Sequence, residues 1–302
     1  RRSSDLVVGK DMNLNTLFQA LFNGIMIGGI YSLIGMSLTI IFGVMKVINF
    51  CQGELLMLGM YCSYVLYEMI GLGPFESIPI VVIAMFIFGV LLQATLITRS
   101  IRIDDDDTNV LFLTAGFGIL FSSSMQLIFG TNYKTVPSHL GNTTISIGGA
   151  LISANKLISF GILIIITVLL FLFLKKTTIG KQIRATSQNR LGADVCGINS
   201  KIVYACTYGL GAAIAGIAGA CLMSYYYVFP TVGVTYGTRS FIVVTIGTLG
   251  NIVGGFFGGL VLGCLETVGA VVVGSAYKET LVYLCFVVIL IIKHRIQAKR
   301  RA

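Results

Sequence analysis

The chain has 302 residues, of which 56% are hydrophobic and 11% charged, with a formal net charge of +9 and a mean hydropathy of +0.91. A soluble domain carries about 25% charged residues, so this chain has too little polar surface to coat a water-soluble globule. Composition therefore sets aside soluble enzymes and nucleic-acid binders and points to a polytopic membrane protein.

Arg1 to Asp11 is polar and precedes Met12, a plausible native start. It is treated as a tag or disordered N-terminus and left out of the fold. The first apolar segment is long and lacks a small-residue cleavage site, so it is expected to be retained. A transmembrane helix needs about 20 mostly apolar residues. The runs that meet or approach this are Leu17 to Val44, Leu55 to Ile70, Ile78 to Thr98, Val110 to Phe129, Leu157 to Leu174, Ile202 to Tyr225, Phe241 to Ile252, Phe256 to Val273 and Leu281 to Ile292. The first is long enough to tilt or to contain a break, and Phe241 to Ile252 is short enough to be a half-helix. The expected fold is an all-α polytopic transmembrane helix bundle of eight to nine spans, some of them broken.

Lys and Arg near the span ends set the orientation. Lys46, Arg99, Arg102, the cluster from Lys175 to Lys201 and the tail from Lys293 to Arg301 all fall on one side. The other side holds Lys134, Lys156, Arg239 and Lys278. The first side is expected to be cytoplasmic, together with the C-terminus. Gly130 to Lys156 is then the main external loop. Within it, Thr144 to Ser153 alternates around Gly148-Gly149 and predicts a small β-hairpin.

Catalytic and metal motifs are missing. The two histidines, His139 and His294, lie in opposite loops, and no cysteine pair has CxxC spacing. Gly9-Lys10 and Gly180-Lys181 lack the upstream glycine and the following Ser or Thr of a P-loop. The chain is read as a non-enzyme with no catalytic residue, no metal and no cofactor of its own.

Ionisable residues at membrane depth mark function or demand partners. Glu54, after Asn49 and Gly53, is read first as complementing a helix dipole and second as part of a path. Glu266 is expected to face the bundle interior or a cavity, and Arg239 to snorkel from the external end. Asn49, Gly53, Glu54 and Glu266 are the candidate path residues. Gly24 and Gly28 form one small-xxx-small pair, and Gly255, Gly259 and Gly263 form a ladder; both are read as helix-packing faces.

The polar stretch Gly180 to Asn199, GKQIRATSQNRLGADVCGIN, interrupts the apolar chain on the cytoplasmic side. Ala185, Asn189, Ala193 and Gly197 recur every four residues from Gln182 to Ile198, which predicts one helix with a stripe of compact residues. Ser187 or Asn189 is suited to cap it. Such a helix suits docking to another protein, and equally a basic loop lying on anionic lipid. Composition leaves the two even.

Four blocks carry a resemblance to a known family. They are Gly29-Ile-Tyr-Ser-Leu33 with Thr39 to Phe50 and Gly53 to Gly59, then Leu127 to Gly130, then Gly180 to Asn199, then Gly254 to Glu266. The first is similar to the pattern GxIYALxAxGLTLxYGVxxxxNFAHGxxxMLGAY. The chain resembles the branched-chain amino-acid permease family of bacterial ABC importers, in its shorter H-type form. Cys51-Gln52 stands where that pattern has Ala-His, and Ile246 to Asn251 replaces a common Gly-Gly-x-Gly run. Relatives in the same superfamily carry urea or short amides.

The resemblance implies a single permease domain over 12–302 in the bacterial plasma membrane. It implies a second permease subunit, as a hetero- or homodimer, two ATP-binding subunits that hold ATP and Mg, and an external solute-binding protein. It makes 180–199 the coupling segment, with Arg184, Ala185, Gln188, Asn189, Ala193 and Gly197 as its residues, working by alternating access. A stand-alone channel or uniporter is the reading from another class.

Overall fold

The computed structural model describes residues 14–97, 107–138, 143–147 and 150–301. The expectations for 1–11 and His139 lie outside the described residues, as do Arg99 and Arg102. In chain order the helices are α1 (Leu14–Met45), α2 (Gln52–Ile70), α3 (Ile78–Leu92), α4 (Asp107–Phe129), α5 (Ala154–Lys176), α6 (Thr178–Gln188), α7 (Arg190–Val195), α8 (Ser200–Met223), α9 (Val232–Gly247), α10 (Ile252–Val272) and α11 (Lys278–Arg301). A π-turn, Gln93–Ile97, extends α3, and a 3₁₀ turn, Ser275–Tyr277, precedes α11. The two strands, β1 (Thr144–Ile147) and β2 (Ala150–Ser153), pair antiparallel from Thr144 opposite Ser153 to Ile147 opposite Ala150. The molecule is an all-α polytopic bundle with one small hairpin. Among the described residues six helices are long and apolar enough to cross a membrane by themselves.

The bundle is organised around α1 and α8, both buried along most of their length. α8 reads SKIVYACTYGLGAAIAGIAGACLM, and its small residues let α1, α2 and α3 approach closely. On α3, Gly89 lies against the backbone of Gly209, and Gly59 on α2 lies against that of Gly216. α1 packs along α10 through glycines on both sides. A Cβ on Gly28 would sit 2.9 Å from the Gly259 carbonyl oxygen, and Gly24 and Gly263 are just as close. Gly255 continues this seam toward Met36 and Thr39.

Two helices differ from the sequence reading. α1 is continuous for 32 residues, with no break. The run Phe241 to Ile252 is not a helix. Its first part ends α9, which begins at Val232, and its last residue opens α10. The turn between them holds Thr248 at φ 75° and Gly250 at φ 82°. The polar residues Thr235, Thr238, Arg239 and Ser240 lowered the hydropathy of α9 and hid its start.

α2 starts deep in the bundle. Gln52 Nε2 donates to Ser37 Oγ (2.7 Å), and Ser37 Oγ donates to the Gly211 carbonyl (2.6 Å). Ser37 lies eight residues before the end of α1 at Met45, about 12 Å along the axis. Gly211 lies eleven residues into α8, about 16 Å. Residues 46–51 therefore climb back between helices from Lys46, itself at φ 60°, and α2 begins near mid-depth. Irregular backbone at that depth is tolerated when it is buried in protein. Here Asn49 Oδ1 accepts from the Cys51 N–H (3.3 Å) and from Cys51 Sγ (3.1 Å), while Asn49 Nδ2 donates to Gln52 Oε1 (3.3 Å).

Candidate functional site

The start of α2 borders a cavity of about 560 Å³ between α2, α4 and α9. Phe50 and Phe241 meet at 5.0 Å between ring centres and form one wall. Ile119 and Val234 line it as well, with Gly118 beside the Glu54 carboxyl group and Gly237 against the Gly53 backbone. α4 is held across this space by few links. The Phe50 N–H donates to Thr114 Oγ1 (3.1 Å), and Ser122 Oγ donates to the Pro230 carbonyl (2.7 Å). Tyr61 stacks on Phe129, and Phe88 meets Phe121 edge-on.

Glu54 lines this cavity and is 7% exposed. Its carboxylate faces its own backbone N–H, and no other described residue hydrogen-bonds or ion-pairs with it. A Cβ on Gly118 would lie 3.4 Å from the Glu54 carboxyl carbon. The other polar groups of the wall are largely spent. Ser122 donates to Pro230, and Thr238 Oγ1 donates to the Val234 carbonyl (2.9 Å). Among the described contacts, Glu54 faces this cavity while Asn49 and Gly53, two of the three residues grouped with it, are engaged elsewhere. Gly53 is pressed against the backbones of Gly233 and Gly237, so it serves the α2–α9 crossing. Asn49 is buried in the turn and organises the start of α2.

Glu266 is a different site. It is 3% exposed, on α10, and three groups donate to it. Tyr31 Oη reaches Oε2 at 2.6 Å, Lys278 Nζ reaches Oε1 at 2.8 Å, and Arg239 spans both oxygens at 3.1 and 3.3 Å. The Arg239 guanidinium also lies over the rings of Tyr31 (5.6 Å) and Tyr236 (5.7 Å) and within 3.7 Å of Glu279. Arg239 thus does not snorkel. It sits seven residues into α9 and is consumed by an ion cluster that ties α1, α9, α10 and α11 together. Each charge in this cluster has a partner of opposite sign within 4 Å.

At the other end of the bundle, 180–199 folds as two helices rather than one. Asn189 leaves helical geometry at φ −150° and ψ 107°, ends α6 and caps α7, its Oδ1 accepting from the Gly192 N–H at 2.9 Å. This break scatters the four-residue stripe. Ala185 is half-buried, Gln188 and Asn189 are exposed, Ala193 is 4% exposed and turned inward, and Gly197 lies past α7 at φ 82°. Arg184 lines a separate cavity of about 440 Å³ with Lys175, Ser187 and Asn251. The face α7 presents outward is Leu191, 76% exposed, and Val195, 88% exposed. Sequence periodicity missed this pair because it followed the small residues instead of the apolar ones. α7 is tied down by Asp194, which accepts from the Ser200 hydroxyl, and by Arg190 over the Tyr204 ring at 5.4 Å. Among the described residues no three His, Cys, Asp or Glu side chains converge as metal ligands would.

Residues 20–291 match a family model described as the permease component of the branched-chain amino acid transport system. The chain is 28% identical to the high-affinity branched-chain amino acid transport system permease protein BraD of Pseudomonas aeruginosa, over 91% of this chain and 93% of that relative. It is 27% identical to the permease protein LivH of the same kind of system in Salmonella typhimurium, over 91% and 92%. A more distant likeness, 25% over 81% and 78%, is to a probable branched-chain amino acid transport permease protein LivH of Methanocaldococcus jannaschii. No solved structure gives a significant match.

Proposed function

The chain belongs to the family of branched-chain amino acid transport permease components, and from that premise we propose that it is the membrane subunit of an ABC importer for branched-chain amino acids. What carries this reading is the extent of the similarity, which runs over nearly the whole chain and through every spanning helix. The partners are a second permease subunit, two ATP-binding subunits and an external solute-binding protein. ATP and Mg belong to the ATP-binding subunits, since this sequence carries no P-loop. The orientation follows the basic residues: the α6–α7 end, with Lys175, Lys176, Lys181, Arg184, Arg190 and Lys201, faces the cytoplasm of a bacterial inner membrane. The hairpin faces outward, and the C-terminus lies inside.

In this reading α6 and α7 receive the ATP-binding subunit. Leu191 and Val195 supply the apolar anchors, Asn189 sets the angle between the two helices, and Ala193 packs the short helix against its own chain. Motion of the pair reaches the bundle through Thr177, which links the end of α5 to α6 by accepting from the Gly180 N–H (3.0 Å). The neutral, zwitterionic solute then crosses a path with few charges.

The test is co-purification followed by uptake. A tagged chain is expected to bring down ATP-binding subunits, and the complex in vesicles to take up L-leucine with binding protein and ATP. Uptake that persists without ATP, with no ATP-binding subunit recovered, would make the chain a uniporter or channel. A thermal-shift screen of the binding protein with leucine, isoleucine, valine, urea and acetamide separates amino acid from amide substrates. Val195→Asp is expected to leave membrane insertion intact and to cut uptake at least tenfold. Wild-type uptake by this variant would remove α7 from the docking surface.

A further inference from the structure

We propose that Glu54 is the ammonium-binding residue of a mid-membrane site that takes a primary amine carrying a branched aliphatic group. Three observations converge on it. Glu54 is 7% exposed as a residue, its carboxylate lines the cavity between α2, α4 and α9, and it receives no donor from any other described residue. The cation on α9 is engaged elsewhere. Thr238 lines the cavity, but its neighbour Arg239 points to the opposite side of the helix and is held by Glu266. Apart from the hydroxyls of Ser122, Ser123 and Thr238 the cavity wall is apolar, with Phe50, Phe241, Ile119 and Val234 around the one carboxylate.

A lone carboxylate at this depth is costly. A ligand ammonium repays that cost by supplying the missing partner as a charge-assisted hydrogen bond. The apolar walls then take the aliphatic part of the same ligand. About 560 Å³ lies within the range of small-molecule sites, roughly 300–1,000 Å³. The start of an interrupted helix near mid-depth is where transporters place solute sites. That the natural amine is an amino acid rests on the reading under Proposed function. The cation site itself rests on the geometry above.

The experiment uses the purified complex of this chain with its partner subunits, without binding protein. Melting is followed with isoamylamine, isocaproate and L-leucine, which carry the ammonium alone, the carboxylate alone and both. Isoamylamine and leucine are expected to raise the melting temperature of the wild type, and isocaproate to leave it unchanged. Glu54→Gln is expected to keep the unliganded melting temperature and lose both shifts, and Glu54→Asp to keep part of them. Gly118→Leu, which fills the space beside the carboxylate, is expected to lose them too. An equal amine shift in Glu54→Gln overturns the proposal, as does no amine shift in the wild type, or an isocaproate shift as large as that of isoamylamine. ATP-driven leucine uptake, measured after the same complex is placed in vesicles and supplied with binding protein, separates the two readings. Uptake without an amine shift removes the Glu54 site and leaves the importer. An amine shift without uptake removes the importer and leaves the cation site.

Discussion

Glu54 and Glu266 are both buried carboxylates inside an apolar bundle, yet they are treated in opposite ways. Glu266 is met by an arginine, a lysine and a tyrosine from three other elements. Glu54 is met by its own backbone and by a cavity. A buried charge with several well-placed partners is a structural joint: its desolvation is offset inside the protein. A buried charge without them is offset elsewhere, by a ligand. The contrast teaches that burial alone does not identify a functional acid; what distinguishes one is an incomplete set of partners beside open space.

The contrast can be broken by stability measurements. The largest effect is expected for Arg239→Leu, which leaves Glu266 short of its main partner. Removing one member of a buried pair costs about 3–5 kcal/mol, so the variant should lose much of its folded, monodisperse yield in detergent. Arg239→Leu combined with Glu266→Leu should recover most of that loss, because no charge is then stranded. A double variant as damaged as the single one would show that the ion cluster is not what Arg239 contributes. Lys278→Ala should cost less, ~1 kcal/mol or below, because the Lys278 side chain is 37% exposed and water screens its pair. Urea titration of the solubilised protein would resolve that difference. Glu54→Gln should cost no stability, since it removes a charge that no other described residue balances. A melting temperature lowered as far as in Arg239→Leu would erase the distinction between the two acids.

Much of the fold was legible because apolar runs in a membrane chain are constrained by one length scale. The hairpin was legible too, since Gly148-Gly149 sits between two alternating tetrapeptides. α9 was misplaced because Arg239 reads as a helix end until its partners are known. Those partners are Glu266, 27 residues on, and Tyr31, which meets Glu266 across 235 residues. No local pattern encodes such a meeting. The break at Asn189 hid for the opposite reason: a capping residue inside a regular four-residue repeat looks like one more small residue. The cavity beside Glu54 was invisible in sequence, because it forms only where residues 46–51 climb back between helices.

The glycine seam between α1 and α10 has a mechanical corollary. Backbones in direct contact have no side-chain layer to slide through, so these two helices form one stiff beam, braced by the ion cluster at its hairpin end. α4 is the compliant member: it is exposed along most of its length, and its contacts to the beam side include the Phe50–Thr114 and Ser122–Pro230 hydrogen bonds and a few rings. Force applied to the bundle is therefore expected to deform the gap between α4 and the beam first, which makes the width of the Glu54 cavity its softest dimension.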